Sequence, residues 1–372
     1  MFIVNSLAGG GAERVVLALL EASRDRLATA DVSLVLLDDE KQDYPAPDWL
    51  TVHQLDGRLS LMRTMRQLFA LLRQERPDLT ISFLVRSNVA SALIAKVLGH
   101  KAIISERANT SAHFKPGLVG RLSQTSVRMA YPVADKVIAV SQGIADDLAM
   151  NFGVDAKRVV AIANPVPTER IVPAGQMPPA IDIQGPYAVA VSRLTASKNL
   201  ALVLDAFARA GDDLSLVILG QGKEREALEA HAKALGIAER VIMPGFVDNP
   251  YPIVARADFY VSGSNAEGFP NGQVEALALG TPVLATNCAS GPSEVLADKR
   301  REDVNGLYFG DYGILVPVND AECLAEGMRA VRQPEMQSKY RAAGPQRVAI
   351  YSTAHARDRY WQVIDSVLAQ EP

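Results

Sequence analysis

Short apolar runs alternate with amphipathic stretches along most of the chain. The runs are rich in Val, Ile and Leu, as is typical of strands buried on both faces of a parallel sheet. They occupy residues 2–7, 31–37, 78–84, 102–106, 136–141, 187–194, 214–220, 240–246, 257–263, 281–286 and 313–317. Helical spacing of apolar residues appears between them, as in 11–27, 62–75 and 87–99. The alternation predicts an α/β protein whose parallel sheets are covered by helices on both faces.

A proline-rich stretch interrupts this pattern and predicts two domains. Residues 164–186 contain six prolines and little apolar periodicity, so we expect a linker there. A chain of 372 residues also exceeds the usual size of one core. We predict an N-terminal α/β domain over 1–165, a C-terminal α/β domain over 166–345, and a helical tail over 346–372 that packs back on the first domain. Ligands of such sheets bind beyond the carboxyl ends of the strands, so we expect the site in a cleft between the domains.

Composition and charge exclude several classes of protein. The net charge of −4 provides no overall attraction to nucleic acid, so an anion site has to be local. Cys288 and Cys323 are the only cysteines, which excludes a disulfide framework and a cysteine-rich zinc site. The N-terminal stretch lacks the features of a signal peptide, and no apolar run is long enough to span a bilayer. We therefore expect a cytoplasmic protein.

Two loops that follow predicted strands carry residues suited to phosphate. Gly10 and Gly11 open a helix, where glycine lets the backbone approach a ligand and the helix N-terminus attracts anions. A tight strand-to-helix turn explains these glycines equally well. Arg193 and Lys198 lie at and just past the end of the apolar run at 187–194, and two cations there fit a diphosphate. Solvated side chains are the usual alternative, but both residues flank a strand end that is predicted to face the cleft.

The stretch SNAEGFPNGQVEALALGTPVLAT at 264–286 places two carboxylates around a turn. The turn consists of Phe269, Pro270, Asn271 and Gly272. The helix that follows leaves backbone N–H groups unpaired, and these can bind hydroxyl or phosphate oxygens. Glu267 and Glu275 can accept hydrogen bonds from sugar hydroxyls, so the pattern predicts one acceptor for each sugar of a nucleotide-sugar. The helix dipole alone would account for Glu275 but not for the residues around it.

Together these motifs resemble the retaining glycosyltransferases of family 4, which have the GT-B fold. The family's Glu-x7-Glu pair matches Glu267 and Glu275, and its Arg–Lys pair for the donor diphosphate matches Arg193 and Lys198. The N-terminal glycine loop matches as well, so the resemblance covers nearly the whole chain. It implies two doubly wound parallel-sheet domains that face each other across a cleft.

The resemblance also implies roles for single residues. The Arg–Lys pair would neutralise the departing nucleoside diphosphate. Glu267 would hold the donor sugar and Glu275 the ribose, while Phe246 and Val247 would border the nucleobase. Transfer would keep the anomeric configuration, with the leaving phosphate helping to take the proton of the acceptor. We expect neither a metal nor a cofactor, because the Arg–Lys pair neutralises the charge and the chain has no Asp-x-Asp motif.

One departure from the family pattern lies in the first domain. Many relatives carry a His after a strand there that contacts the donor sugar, whereas here the strand at 102–106 is followed by RANTSAHF. Glu106 and Arg107 stand at the strand end, and His113 lies further along. We expect Glu106, Arg107 and Asn109 to line the sugar or acceptor site, and His113 could reach it too, although a loop histidine is more often simply solvated.

The start GGGAERV resembles a subgroup that adds N-acetylhexosamines or related sugars to lipid-linked glycans in bacteria. We therefore expect a nucleotide-sugar donor, UDP-linked, that carries an N-acetylhexosamine or a hexose. The acceptor is a carbohydrate, which we expect to be a lipid-linked glycan. Nucleic acid is not an expected partner.

Basic helices in the first domain favour contact with an anionic membrane. Arg63, Arg66 and Arg73 flank the apolar face of the amphipathic stretch 59–74, which fits either a solvated basic face or an anionic lipid head group. Arg121 and Arg128 lie seven residues apart and form a second basic patch. We expect a peripheral enzyme at the cytoplasmic face of the inner membrane.

Two other functions remain open from the sequence. A nicotinamide-dependent dehydrogenase would use the same type of sheet, and Asp38 and Asp39 end the second strand, where a ribose-binding acid would sit. The glycine loop lacks the third small residue of a dinucleotide fingerprint, which argues against it. A non-catalytic nucleotide-sugar binding protein is the second alternative, and the intact Glu and Arg–Lys pairs argue against that.

Overall fold

The computed structural model describes residues 1–8, 11–114, 117–211 and 213–370, apart from the side chain of His113. The chain divides into two compact units. Unit 1 combines Met1–Pro165 with Thr353–Pro372, and unit 2 is Val166–Ser352. Each unit is built around its own parallel sheet.

The sheet of unit 1 has seven strands among the described residues, in the order β3-β2-β1-β4-β5-β6-β7, and all neighbours are parallel. The strands are β1 (Phe2–Val4), β2 (Ser33–Leu36), β3 (Thr51–Gln54), β4 (Leu79–Phe83), β5 (Lys101–Glu106), β6 (Lys136–Ala139) and β7 (Val159–Ala161). The chain builds outward from β1 to β3 and then returns to the other side of β1. The point where the strand order reverses therefore lies between β1 and β4.

Helices cover both faces of this sheet. They are α1 (Gly11–Ala22), α2 (Arg24–Leu27), α3 (Leu61–Glu75), α4 (Val85–Leu98), α5 (Thr110–His113), α6 (Leu118–Ala130), α7 (Gln142–Phe152) and α16 (Thr353–Leu368), with 3-10 turns at Tyr131–Val133 and Ala156–Arg158. Ile3 of β1 faces a core formed with α3 and α4, and α6 packs beside α4. Phe2 and Val4 face the opposite core, which contains α1 and α16, because side chains alternate along a strand.

The final helix α16 is an integral part of unit 1. Its buried residues Tyr360, Val363, Ile364 and Val367 share a core with β1 and α1. The Tyr360 hydroxyl lies 3.2 Å from the Ser105 hydroxyl at the carboxyl end of β5. The chain thus completes the first core only after it has passed through unit 2.

The sheet of unit 2 repeats this topology. In the described part of the chain its order is β10-β9-β8-β11-β12-β14-β13, parallel except for β13, which is antiparallel to β14. The strands are β8 (Tyr187–Val191), β9 (Ser215–Leu219), β10 (Val241–Gly245), β11 (Phe259–Ser262), β12 (Val283–Thr286), β13 (Tyr308–Phe309) and β14 (Ile314–Val316). The helices are α8 (Thr168–Gln176), α9 (Leu200–Ala210), α10 (Arg225–Ala234), α11 (Tyr251–Arg256), α12 (Asn271–Ala278), α13 (Pro292–Ala297), α14 (Ala321–Val331) and α15 (Pro334–Val348), with 3-10 turns at Ala196–Lys198, Ala238–Arg240, Arg301–Asp303 and Ala349–Tyr351.

The expectation of a structureless linker over 164–186 is wrong for its central part. Residues Thr168–Gln176 form α8, which buries Ile171 and Gly175 and packs on α11. A Cβ atom on Gly175 would lie 2.5 Å from a methyl group of Leu279, so the glycine permits this close packing. Pro173 lies inside α8, which explains why the proline content concealed the helix.

The predicted fold class is confirmed: both sheets are doubly wound and parallel, apart from the antiparallel edge strand β13. Every strand predicted from an apolar run is present. The strands that the pattern missed, β3, β7 and β13, are short and incompletely buried. Because edge strands pack on fewer neighbours, their sequences do not need the apolar run that marks a central strand.

Candidate functional site

The candidate site lies at the carboxyl ends of β8 and β11 in unit 2. These strands are adjacent in the middle of the sheet, and the strand order reverses between them. The helices that follow them leave in opposite directions, which opens a crevice between two loops. One loop, residues 192–199, follows β8 and carries Lys198. The other, residues 263–270, follows β11 and carries Glu267.

A cavity of about 130 Å³ lies in this crevice. Ligand pockets for drug-sized molecules usually measure about 300–1,000 Å³, so the enclosed space fits one part of a large ligand and not the whole. The cavity is lined by residues of both loops, both strands and the first turn of α12, namely Ala190, Val191, Ser192, Lys198, Leu200, Tyr260, Val261, Ser262, Gly263, Ser264, Glu267, Phe269, Pro270, Asn271, Gly272 and Gln273.

Lys198 and Glu267 form an ion pair across the crevice. The Lys198 ammonium donates hydrogen bonds to both carboxylate oxygens of Glu267, at 2.7 and 2.8 Å. Their side chains are only 22% and 12% exposed, so the pair is weakly screened by solvent. Residues that are 69 positions apart in the sequence thus place opposite charges in one small cavity.

Three asparagines tie the loops around this ion pair together. Asn199 has φ 45° and ψ 48°, a left-handed conformation that asparagine tolerates better than most residues. Its side-chain amide donates to Asn265 Oδ1 at 3.1 Å and to Asn319 Oδ1 at 3.0 Å. The backbone N–H of Asn265 donates to the carbonyl of Ser197 at 2.9 Å. The loop that carries Lys198 is therefore bonded directly to the loop that carries Glu267.

The turn before α12 packs against the phenol of Tyr260. Tyr260 is buried and its hydroxyl donates to the carbonyl of Val191 at 3.1 Å. A Cβ atom on Gly272 would lie 2.4 Å from this hydroxyl oxygen, so only glycine leaves room for it. Burial raises the pKa of Tyr260, and the negative charges of Glu267 and Glu275 raise it further. The phenol is consequently neutral and acts as a hydrogen-bond donor.

The predicted residues of the second domain divide into two sets. Those that line the cavity are Lys198, Glu267, Phe269, Pro270, Asn271 and Gly272. Arg193, Glu275, Phe246 and Val247 lie outside its lining. Arg193 is exposed just past β8, and Phe246 is 67% exposed just past β10. Glu275 is half-buried in the second turn of α12 and acts on the pKa of Tyr260.

In unit 1, Glu106 is 1% exposed at the end of β5. Its carboxylate accepts hydrogen bonds from the backbone N–H groups of Arg107 and Ala108, at 2.9 and 3.1 Å, and from the Tyr131 hydroxyl. The pKa of Tyr131 is raised by burial and by this neighbouring carboxylate. These contacts give Glu106 a structural role in shaping the loop, and its contact with a substrate stays a prediction.

Arg107 is half-buried, and hydrogen bonds to neighbouring side chains fix the position of its guanidinium. Its guanidinium donates to the Tyr360 hydroxyl at 3.0 Å and to Asn164 Oδ1, and it lies 5.8 Å from the ring centre of Phe83. Gly11 is exposed at the start of α1. Gly10 and the side chain of His113 lie outside the described residues.

Comparison with known proteins assigns the chain to a family. Residues 9–170 match the model for Glycosyltransferase Family 4, and residues 178–347 match the model for Glycosyl transferases group 1. A Campylobacter jejuni enzyme, N-acetylgalactosamine-N,N'-diacetylbacillosaminyl-diphospho-undecaprenol 4-alpha-N-acetylgalactosaminyltransferase, is 30% identical over 350 residues, 90% of each chain. The chain belongs to glycosyltransferase family 4. The resemblance seen in its motifs is thereby confirmed. The relatives are glycosyltransferases, and they give no support to the dehydrogenase alternative.

Other relatives agree with this assignment. The Escherichia coli lipopolysaccharide 1,6-galactosyltransferase is 27% identical to this glycosyltransferase over 264 residues, 68% of this chain and 67% of the relative. Among solved structures, Anabaena HepE in complex with UDP superposes with a TM-score of 0.77 at 20% identity, covering 98% of this chain and 99% of the other. The outer core galactosyltransferase WaaB gives the same TM-score at 21% identity and covers 98% of both chains. At these identities the structural matches establish the fold.

Several residues at the site of the glycosyltransferase escaped sequence reasoning. Tyr260 lies inside an apolar run and was assigned only to a strand. Asn319 lies in the loop after β14, far from the motifs, although its positive φ of 59° is typical of asparagine in a turn. Gln273 is 2% exposed in the wall of the cavity. These residues can be recognised only once the order of the strands is known. The spacing of motifs along the sequence does not contain that order.

Asp38 also has a structural explanation. It is 3% exposed and accepts hydrogen bonds from the Arg86 guanidinium and from the backbone N–H of Leu59. Burial by itself would raise the pKa of Asp38, but the bonds from Arg86 and Leu59 lower it below its usual value. In the dehydrogenase alternative Asp38 would bind ribose. Here it instead connects the segment before α3 to the first turn of α4.

Within the described residues, no group of three or more His, Cys, Asp or Glu side chains has the arrangement of a metal site. The same residues include no helix that is long and apolar enough to cross a membrane.

Proposed function

We propose that this glycosyltransferase moves an N-acetylhexosamine or a hexose from a UDP-sugar to a carbohydrate acceptor carried on a lipid. The names of its relatives support the acceptor class, and UDP-bound HepE supports the nucleotide. The observation that carries the proposal is the Lys198–Glu267 pair in the crevice between β8 and β11. In this pair Lys198 would bind a phosphate group, and the adjacent Glu267 would accept hydrogen bonds from sugar hydroxyls.

Donor binding would rearrange this pair. A diphosphate in the crevice competes with Glu267 for the Lys198 ammonium, which has a flexible stem and can turn from one anion to the other. Glu267 would then accept hydrogen bonds from hydroxyls of the donor sugar. Arg193, exposed at the mouth of the same loop, would bind the outer part of the diphosphate, and the N–H groups of the turn Phe269–Gly272 would bind its remaining oxygens.

The rest of the donor would lie along the open edge of the sheet, because the cavity is too small for it. We assign the ribose to Glu275 and the nucleobase to Phe246 and Val247 past β10. Unit 2 would thus bind the donor. Unit 1 would supply the acceptor side through Gly10, Gly11, Glu106, Arg107 and His113.

We infer that transfer retains the anomeric configuration and uses no metal. The bond between the anomeric carbon and the phosphate oxygen breaks while the acceptor oxygen attacks the same face. The proton of the acceptor hydroxyl passes to the departing diphosphate oxygen. Lys198 and Arg193 would stabilise the negative charge that develops on the leaving group, which is the role a divalent cation has in other phosphate chemistry.

We also propose that the enzyme works at the cytoplasmic face of the inner membrane. Arg66 and Arg73 are exposed on α3 and can reach anionic lipid. Arg63 is exposed as well, but its guanidinium donates to Asp56 at 2.9 Å, which reduces its share in such a contact.

Binding and turnover of the purified enzyme test the donor assignment. We expect calorimetry to detect UDP and not NAD, and turnover to appear with one or more UDP-sugars and a lipid-linked acceptor. Lys198→Ala should weaken UDP binding by about tenfold or more, since it removes a charged hydrogen bond. Glu267→Gln should lower turnover by about a hundredfold while it leaves UDP affinity close to that of the wild type.

Lys223→Ala is the matched control, because Lys223 is an exposed lysine in the loop after the neighbouring strand β9. Equal UDP affinity in Lys198→Ala and Lys223→Ala would reject the diphosphate assignment. Binding of UDP-sugars without any turnover would favour the non-catalytic alternative, and tight binding of NAD would restore the dehydrogenase. Turnover should persist in EDTA, and a complete loss that Mg²⁺ restores would contradict the metal-free mechanism.

A further inference from the structure

Helix α6 exposes an apolar face to solvent. Leu118, Val119, Leu122 and Met129 are 74%, 79%, 62% and 65% exposed. At about 100° per residue, Leu118, Leu122 and Met129 project within an arc of about 40°, and Val119 borders it. The buried residues Gly120 and Val127 project from the opposite side and attach the helix to α4. The helix is therefore apolar on both sides.

Single exposed apolar residues are normal on protein surfaces, but a continuous stripe usually marks a binding surface. From Leu118 to Met129 the stripe extends over about 16 Å at 1.5 Å per residue. Within the residues that the structure describes, no other helix presents a comparable stripe of exposed large apolar side chains.

The charge around the stripe indicates what covers it. Between Glu106 and Asp135 the sequence contains Arg107, Lys115, Arg121 and Arg128 but no acidic residue, although the whole protein has a net charge of −4. Arg121 and Arg128 are exposed on α6 and project to one side of the stripe, although Arg128 Nε also donates to the carbonyl of Asn151 at 3.1 Å. Apolar residues bordered by arginine are typical of helices that lie in the surface of an anionic bilayer.

Helix α3 lies in the same layer of unit 1, on the other side of α4. Its sequence also lacks acidic residues between Asp56 and Glu75, and Met62 is 85% exposed at its start. Exposed Arg66 and Arg73 follow on the same helix. Two basic helices with exposed apolar residues thus share one side of the sheet, whereas α16 covers the opposite side.

We propose that the stripe Leu118, Val119, Leu122 and Met129 inserts into the surface of an anionic bilayer. Arg121 and Arg128 contact lipid phosphates beside it, and α3 provides the second, more polar contact. This inference rests on the proposed function in so far as a lipid-linked acceptor is met at a membrane. It goes further because it assigns the anchoring to apolar insertion by α6 and only secondarily to the arginines of α3.

Vesicle binding by the full-length protein tests the proposal. We expect co-sedimentation with vesicles of phosphatidylcholine mixed with phosphatidylglycerol, and much weaker binding to phosphatidylcholine alone. Leu122→Ser should lower the partition coefficient by about tenfold, since a leucine that inserts into the bilayer is replaced by a polar residue. The matched control is Leu368→Ser, because Leu368 is 50% exposed at the end of α16 and does not belong to α6. It should bind like the wild type.

The charged contacts are tested separately. Arg121→Gln/Arg128→Gln should weaken binding to the anionic vesicles, and added salt should have the same effect. Arg66→Gln/Arg73→Gln should weaken it less than Leu122→Ser does. If Leu122→Ser binds vesicles as the wild type does, or if Leu368→Ser loses binding equally, the assignment to α6 is overturned.

Two further measurements separate the remaining outcomes. Sedimentation velocity would show a dimer that Leu122→Ser dissociates if the stripe instead binds a second copy of the chain, and this result would overturn the proposal. UDP binding by the wild type and by Leu122→Ser should be equal, because α6 is not part of the donor site. If the wild type binds UDP but does not bind anionic vesicles, only the membrane surface is refuted, whereas absence of UDP binding in the wild type refutes the proposed function.

Discussion

Asn199 holds the backbone just after Lys198 in a left-handed conformation and bonds the loop to Asn265 and Asn319. Glycine would adopt the same φ and ψ without strain but could form none of these side-chain bonds. The asparagine therefore combines a backbone role with a tie between loops. If Lys198 binds the donor diphosphate as proposed, its ammonium needs a fixed position, and we infer that Asn199 provides it.

Two substitutions separate the roles of Asn199. Asn199→Gly keeps the backbone conformation and removes two hydrogen bonds, so it should lower turnover by about threefold to tenfold with little loss of stability. Asn199→Ala should add about 1 kcal/mol of backbone strain and lower the melting temperature as well. Steady-state kinetics and thermal unfolding of both variants provide the measurement. Wild-type turnover in Asn199→Gly would show that the side chain does not position Lys198.

At the scale of elements, α12 approaches β11 closely because residue 272 has no side chain. The Tyr260 hydroxyl occupies the place of the missing Cβ atom and donates to the carbonyl of Val191 in β8. One phenol thus connects a strand, its neighbour and the helix whose first turn faces the cavity. The glycine is required by a contact between elements, and not by its own φ.

A double-mutant cycle tests this packing. Gly272→Ala should destabilise the protein by about 1–3 kcal/mol, as overpacking of a close contact does, and should weaken UDP binding. Tyr260→Phe removes the oxygen at 2.4 Å and leaves the ring carbon at 3.3 Å, so the double variant should recover part of the stability lost in Gly272→Ala. Chemical denaturation of the four proteins measures the coupling. Strictly additive losses would mean that the two residues do not interact as described.

The predicted elements were most accurate where both faces of a strand are buried. The stretch LVLL at 34–37 has no polar position because β2 is covered by helices on both sides. β3 has exposed polar residues and offered no such signal, and α8 was concealed by Pro173 inside it and by the prolines that flank it. Local pattern therefore predicts the centre of each sheet better than its edges.

At the scale of the whole molecule, the chain leaves unit 1 at residue 165 and returns to it at 353. Helix α16 then completes a core that strands and helices of the first half have left open. Trp361 donates from its indole to the Ser23 hydroxyl at 3.0 Å, and Arg26 pairs with Asp365 at 3.0 Å. The core of unit 1 therefore includes side chains of α16.

Ile364→Asp should lower the free energy of unfolding of unit 1 by about 3–5 kcal/mol, because it buries an unpaired charge. Unit 2 has its own core, so UDP binding should persist at temperatures where unit 1 has lost structure. Scanning calorimetry with and without UDP would show this. Gln362→Asp, at an exposed position of the same helix, is the matched control and should melt like the wild type. A single transition that moves as a whole in Ile364→Asp would contradict separate cores.

Part of the candidate site could be predicted from the sequence, for a physical reason. In a parallel sheet every strand ends at the same edge, so a polar residue placed just after an apolar run belongs to that edge whatever the order of the strands. Lys198 after β8 and Glu267 after β11 could be recognised in this way, and so could the unpaired N–H groups at the start of α12. Family membership rests on the same local motifs.

The order of the strands is a property of the folded molecule alone. Only the packing of β8 beside β11 brings Lys198 and Glu267 within 2.7 Å of each other and encloses the cavity between them. Packing also selected Tyr260, Asn319 and Gln273 for the site and tied Glu106 into the interior, because those contacts join parts of the chain that no sequence spacing relates. The chemistry of each loop was local in the sequence, and the meeting of the loops was decided by the tertiary structure.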